Sequence, residues 1–327
     1  LCGFCFFFFC SFFSSPPPPP PPQQVVRWGV TITGVSEDPS SGWVTAHLET
    51  GEQVRGRVLL ACDGLRSLVR AQLVGDPLCY RGVHMINGIA PCTHPLACNH
   101  VFQSLDGTCR FFVKPFAQGT SMWQLTFPAG EHDWDSLTLA QAKDMAAGMA
   151  ASFHEPLPAM VAATPLDLMR HAPLYDREPL TTHAFGRILL IGDAAHPMTP
   201  FKGQGANQAL VDVARLLQVL QEHNFDHDRL PVALADFGSR AAARSQPKVL
   251  QSRAATTFLH TPAATLVENH PNFQKMAPAQ QAKARAAAAR ILCAAAPAVA
   301  DGDDDDDDDD VLVLSDVHVE PAADATN

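Results

Sequence analysis

The stretch that most limits what this chain can fold into is GRILLIGDAAHPMTPFKGQGANQALVDVARLLQVL, residues 186–220. Ile188 to Ile191 form a short unbroken apolar run, which reads as a strand buried on both faces. Gly192 and Asp193 end it, and the loop that follows is punctuated by Pro197, Pro200, Gly203 and Gly205. Its glycines permit backbone angles and close approaches forbidden to larger residues. From Ala206 the pattern turns helical, with Leu210, Val213, Leu217 and Leu220 on one stripe and Asp212, Arg215 and Gln218 largely off it. Free N–H groups and the positive end of the helix dipole at Gly205 and Ala206 stabilise negative charge in front of them. Asp193, at the strand's C-terminal end, is placed to accept hydrogen bonds from the hydroxyls of a sugar or sugar alcohol. Cofactor recognition fits both features.

The second landmark is VLLACDGLRSLVR, residues 58–70. Val58 to Ala61 form another buried run, and the chain then turns sharply at Asp63 and Gly64 into a short helix. Asp63 accepts hydrogen bonds where the strand ends, and the Arg70 guanidinium suits either Asp63 or a phosphate. Asp63 and Gly64 alone would equally suit a plain turn.

Together these stretches resemble the flavin-dependent aromatic-ring hydroxylases of the para-hydroxybenzoate hydroxylase type. GDAAHPMTPFKGQGANQAL is similar to that family's second flavin motif, and DG followed by Ser67 and Arg70 to its short fingerprint near the cofactor diphosphate. The resemblance implies FAD as cofactor. It implies that Asp193 holds the ribityl chain with Gly192 also binding the cofactor, that Gly203, Gly205, Ala206 and Asn207 lie under the flavin's pyrimidine edge, and that Pro200 sits near the reacting face. Asp63 and Arg70 carry over as cofactor-binding residues. The implied reaction uses NAD(P)H and O2 to hydroxylate or epoxidise a small aromatic or unsaturated ring through a flavin hydroperoxide. His196 invites an acid–base reading, but that route needs no histidine nucleophile, so a loop-structuring role is the stronger expectation.

The fold class expected is mixed α/β, an incomplete doubly wound FAD-binding domain with an inserted antiparallel-sheet substrate domain. Residues 25–78 and 181–270 form the FAD-binding part, and residues 79–180 the substrate domain. Strands are expected over 30–33 and 43–48, with a turn-rich stretch at 37–42. Others are expected over 110–114 and 122–127, where Trp123, Leu125 and Phe127 share a face that is either core or pocket wall. A helix over 137–153 places Ala142, Met145, Met149 and Phe153 on one stripe. Tyr175 and Arg177 are possible lining residues, with an ion pair of Arg177 to Asp176 or Glu178 as the alternative. Residues 231–260 read as one or two helices, with Leu234, Phe237, Val249 and Leu250 apolar and Pro247 a kink. The alanine-rich stretch over 282–296 reads as a peripheral helix.

The formal net charge of -11 comes mostly from the tract at 301–310; without its nine aspartates the remainder carries -2. Nothing marks a basic nucleic-acid surface, and the tract lacks the spaced loop of a calcium site. The nine cysteines show no paired CxxC arrangement, so neither a metal site nor a disulfide framework is expected. No stretch reaches the ~18 uninterrupted apolar residues of a membrane span, which leaves a soluble cytoplasmic or organellar protein as the default. Residues 1–22, a Phe/Cys/Ser run followed by prolines, cannot build a specific core.

A doubly wound flavin domain of this kind opens with a strand, a GxGxxG turn and a helix, and none of these is present in the sequence. The expectation is therefore an N-terminally truncated or misassembled product with an exposed strand edge and weak or no FAD binding. Two rival readings stand beside the monooxygenase: another flavin reaction on the same scaffold, such as reduction or halogenation, and an inactive relic or interaction protein.

Overall fold

The computed structural model describes residues 26–224, 226, 228–266, 277–283, 286 and 312–315. The stretch at 1–22, the aspartate tract and the alanine-rich stretch apart from residues 282, 283 and 286 lie outside the described residues. The chain divides into two units. One reaches Arg81 and resumes over Tyr175–Ala255; the other comprises Gly82–Leu174 and the residues from Thr256 onward. Residues 256–266 thus belong to the second unit, not the first as expected, because His260 Nε2 lies 2.9 Å from Thr126 Oγ1 and Gly107 lies against Pro262.

The first unit opens with a meander in which β1 (Ile32–Asp38), β2 (Trp43–Leu48) and β3 (Gln53–Gly56) pair antiparallel in sequence order. β1 begins at Ile32 rather than Val30 and runs through Asp38, whose carboxylate holds the hydroxyls of Ser40 and Ser41 and so fixes the turn. β4 (Leu59–Ala61) follows, then α1 (Leu68–Leu73). Ser67 caps α1 by accepting the Arg70 N–H at 2.9 Å.

The chain then enters the second unit through β5 (Cys79–Pro91), α2 (Pro95–Asn99), β6 (Phe102–Leu105), β7 (Arg110–Ala117) and β8 (Thr120–Pro128). α3 (Leu139–Ala150), α4 (Leu157–Ala163) and β9 (Met169–Asp176) complete its central part. The strands lie in the order β6-β7-β8-β5-β9. Trp123, Leu125 and Phe127 are buried in one apolar cluster with Phe102, Phe111, Phe153 and Leu157, so their face is core and not pocket wall. Gly88 is obligatory there, since a Cβ on it would stand 2.7 Å from Thr164 Cγ2 and 2.9 Å from the Trp123 ring. The buried face of α3 is Ala142, Ala146 and Ala150, while Met145 points outward. Of the expected stripe, Ala142 and Phe153 are buried and Met149 packs partly against the core, so only Met145 departs from it.

Cys92 and Cys98 form a disulfide across α2, which corrects the expectation of unpaired cysteines. The short helix brings their Cα atoms to 5.6 Å, inside the range a disulfide spans.

Back in the first unit, β10 (Ala184–Phe185) pairs antiparallel with β11 (Ile188–Leu190), and β11 pairs parallel with β4. α5 (Gly205–Glu222) and α6 (Leu230–Phe258) follow, α6 running as one helix with Pro247 inside it. β12 (Leu312–Ser315) pairs parallel with β6.

Of the stripe expected for α5, only Leu220 packs on the core. Gln208, Asp212, Leu216 and Val219 are buried, whereas Leu210, Val213 and Leu217 are 70%, 62% and 51% exposed. Leu216 and Val219 join Leu189, Ile191 and Phe237 in the core. Leu250 of α6 is likewise exposed, while Leu234, Phe237 and Val249 are buried.

Candidate functional site

Parallel pairing of β4 with β11 places their C-terminal ends side by side, with Leu190 opposite Ala61 and the Ile191 N–H donating to Ala61 O at 3.0 Å. Asp63 and Asp193 each follow such an end. In open α/β sheets the crevice beyond the C-terminal strand ends is where ligands bind.

Gly64 takes φ +76°, which lets the chain turn sharply after Asp63. One carboxylate oxygen of Asp63 accepts the Val69 N–H at 3.2 Å at the start of α1. The other is buried and has no hydrogen-bond partner among the described residues. A buried acceptor without a partner among the described residues has a lone pair to offer a ligand donor.

Asp193 lies in a short 3-10 turn, Gly192–Ala194, and is exposed. Burial of the surrounding loop still pushes its carboxyl above the usual carboxylate range, while the charge of His196 pulls the other way. Gly205 borders this carboxylate: a Cβ there would sit 3.8 Å from Asp193 Oδ1. Pro200 opens the turn Pro200–Lys202, which ends at Gly203 with φ +59°. α5 then begins at Gly205 without any side-chain cap, so the amides of Gly205, Ala206 and Asn207 present the helix's positive end. Gly203, Ala206 and Asn207 are exposed.

Arg70 requires a correction. It is fully buried and donates to both carboxylate oxygens of Asp76 at 2.9 and 2.6 Å, to Ala195 O at 2.6 Å, to Ala194 O at 3.4 Å and to Glu178 O at 2.7 Å. All five N–H groups are committed to the protein, so it pairs with neither Asp63 nor a phosphate. It ties the Asp63 turn to the Asp193 loop. Arg177 is corrected too: it pairs with Asp76 and donates to Leu65 O, while Asp176 pairs with Arg253 and Arg81. Burial pushes the Asp76 carboxyl up, and its two arginines more than reverse that, holding it below the usual range. Tyr175 stands 5.7 Å from the Tyr80 ring, with Arg66 over its own ring at 5.5 Å.

His196 is buried and its Nε2 lies 2.8 Å from Asp212 Oδ2. Asp212 also accepts the Gly192 N–H at 2.9 Å and pairs with Arg244 of α6. Burial raises the Asp212 carboxyl, but the hydrogen bond and charge of His196, the Gly192 amide and Arg244 outweigh it and set the carboxyl below its ordinary range. The His183 ring is 5.5 Å from that of His196, and burial drives its pKa down to about 3. No local pattern announced Asp212, Arg244 or Asp76 as part of this site; the partners of Asp212 and Arg244 are distant in sequence, while Asp76 pairs with Arg70 six residues before it.

Comparison with known proteins agrees with the geometry. A family model described as an FAD binding domain matches residues 24–227. Aurachin C monooxygenase/isomerase of Stigmatella aurantiaca is 31% identical over 225 residues, covering 68% of this chain and 56% of the relative. 3-Amino-4-hydroxybenzoate 2-monooxygenase PtmB3 of Streptomyces platensis is 28% identical over 216 residues, covering 62% and 51%. The chain therefore spans about half the length of the curated relatives it matches. The crystal structure of Klebsiella pneumoniae HpxO complexed with FAD and uric acid has the same fold, with a TM-score of 0.65 at 24% identity over 73% of this chain and 60% of that one. Strand-end carboxylates, glycine loop, uncapped helix and family match converge, and the chain belongs to the FAD-binding domain family found in flavin-dependent monooxygenases.

Proposed function

We propose that this chain carries the FAD site of a monooxygenase that uses NAD(P)H and O2 to oxygenate a small aromatic or unsaturated ring. The observation that carries the reading is that Asp63, with one open buried oxygen, and Asp193, with an exposed carboxylate, follow the C-terminal ends of adjacent parallel strands. The pair fits a polyhydroxylated cofactor. Asp63 and Asp193 would accept its sugar and ribityl hydroxyls, Gly203 and Gly205 leave room for close approach, and the α5 N-terminus offers partial positive charge to an anionic ring. Pro200 would line the reacting face. When bound, FAD supplies hydride acceptance and oxygen activation, and the protein supplies position and electrostatics. The oxygenation is supported by the names of both relatives, and the aromatic substrate class by that of the 3-amino-4-hydroxybenzoate 2-monooxygenase.

The test is incubation of the purified chain with FAD, NADPH or NADH and candidate aromatic acids under labelled O2. Incorporation of one labelled oxygen atom into the ring supports oxygenation. Flavin-dependent NAD(P)H oxidation with no label in the product would point to another flavin reaction.

A further inference from the structure

We infer that Asp212 is a positioning residue that holds the Asp193 loop in the shape FAD requires, an inference that rests on the flavin reading above. Asp212 is fully buried on α5, yet its carboxylate reaches back to two points of the loop. One oxygen accepts both the Gly192 N–H at 2.9 Å and His196 Nε2 at 2.8 Å, and the other pairs with Arg244. The two loop contacts bracket Asp193, one residue before it and three after. From the opposite side, Arg70 grips the carbonyls of Ala194 and Ala195.

Gly192 has φ +61°, and a Cβ on it would meet Ala209 of the same helix at 3.2 Å. The loop is therefore pressed onto α5 where Asp212 emerges, in a backbone state that an L side chain rarely adopts. Between these grips, Asp193 itself makes no hydrogen bond to the described residues, which leaves its carboxylate for a ligand. The arrangement separates the two carboxylates by task. Asp212 is held by His196 and Arg244 and shapes the backbone; Asp193 stays at the surface to make contact.

The charge on Asp212 is essential to this role. An asparagine has the same shape and can still accept from Gly192, but its amide cannot serve both His196 and Arg244, which would then face a donor or lose a partner. The full-length chain, its Asp212→Asn variant and a control, Phe237→Leu, separate positioning from plain stability. Phe237 packs in the apolar core with Ile191, Leu216 and Val219 and has no polar atom in its side chain to hold the loop, so its variant loses stability through volume. Two readouts are taken: hydrogen exchange of the amides of residues 192–199 without cofactor, and FAD affinity by quenching of flavin fluorescence.

In Asp212→Asn, exchange over residues 192–199 is expected to rise at least about tenfold, and FAD affinity to fall about tenfold to a hundredfold, as for loss of a charge-assisted buried bond. Phe237→Leu should lower Tm while leaving both readouts near wild type. An Asp212→Asn variant that matches the control in both would overturn the inference. Failure of the wild-type chain to bind FAD would instead overturn the flavin reading, and loop exchange would then decide whether Asp212 orders the loop.

Discussion

The two units differ in the balance of what they bury. In the second, one large apolar cluster holds Trp123, Phe111, Phe102 and Leu157, with Arg110 buried and donating to Gln103, and Gly88 lets the Trp123 ring lie on the strand while its N–H reaches Thr164 Oγ1 at 2.9 Å. In the first, fully or nearly buried Arg70, Asp176, Arg177, His183, His196 and Asp212 take up much of the interior around the loops. An apolar core fixes a shape through volume, whereas a buried polar network fixes particular backbone groups. The first unit uses the second strategy where two strand-end carboxylates must stand at a defined place.

That contrast can be broken at either end. Trp123→Ala should cost about 4 kcal/mol, from lost burial plus the cavity left behind, and urea unfolding should show it as a lower midpoint. Arg70→Lys should cost about 2–3 kcal/mol: the charge is kept, but the fork that reaches Asp76 and three carbonyls at once is lost. It should also weaken FAD binding, which separates it from core variants of equal stability.

A pH series gives the next effect in size. His183 is held neutral in the folded state, with its pKa near 3 against 6.5 when free, so the unfolded chain binds the extra proton between those values. Its contribution is complete above about pH 6.5 and falls as pH drops toward 3. Between pH 7 and 5 the loss is about 2 kcal/mol, and His183→Gln should flatten that part of the stability curve in chemical denaturation. The smallest change is expected at Asp193. Its carboxyl is raised, so ionisation at neutral pH opposes folding, and Asp193→Asn should leave Tm unchanged or slightly higher while FAD affinity drops.

What the sequence conveyed and what it hid follow the same division. The apolar runs at 58–61 and 188–191 are local signals and become β4 and β11, the turn glycines 64 and 203 take positive φ, and the helix expected from Ala206 begins one residue earlier at Gly205. The buried face of α5 was not legible, because the helix carries two apolar arcs and its most buried polar residue is charged. Asp212 reads as a surface residue until His196, sixteen residues before it, and Arg244, thirty-two after, are found to hydrogen-bond it. Arg70 misled for a related reason. A guanidinium after a DG turn suggests a phosphate, but its acceptors at Glu178 and Ala195 lie more than a hundred residues away. The Cys92–Cys98 pair was missed because spacing alone says nothing about the short helix that brings the two cysteines together.

The central claim is that Asp63 and Asp193 form one cofactor site, and the most direct measurement is a titration of the full-length chain with FAD. Flavin fluorescence should be quenched saturably, with affinity lowered at least about tenfold in Asp63→Asn and in Asp193→Asn, each at unchanged Tm. Absence of saturable quenching by the folded wild-type chain, or equal affinity in all three proteins, would contradict it.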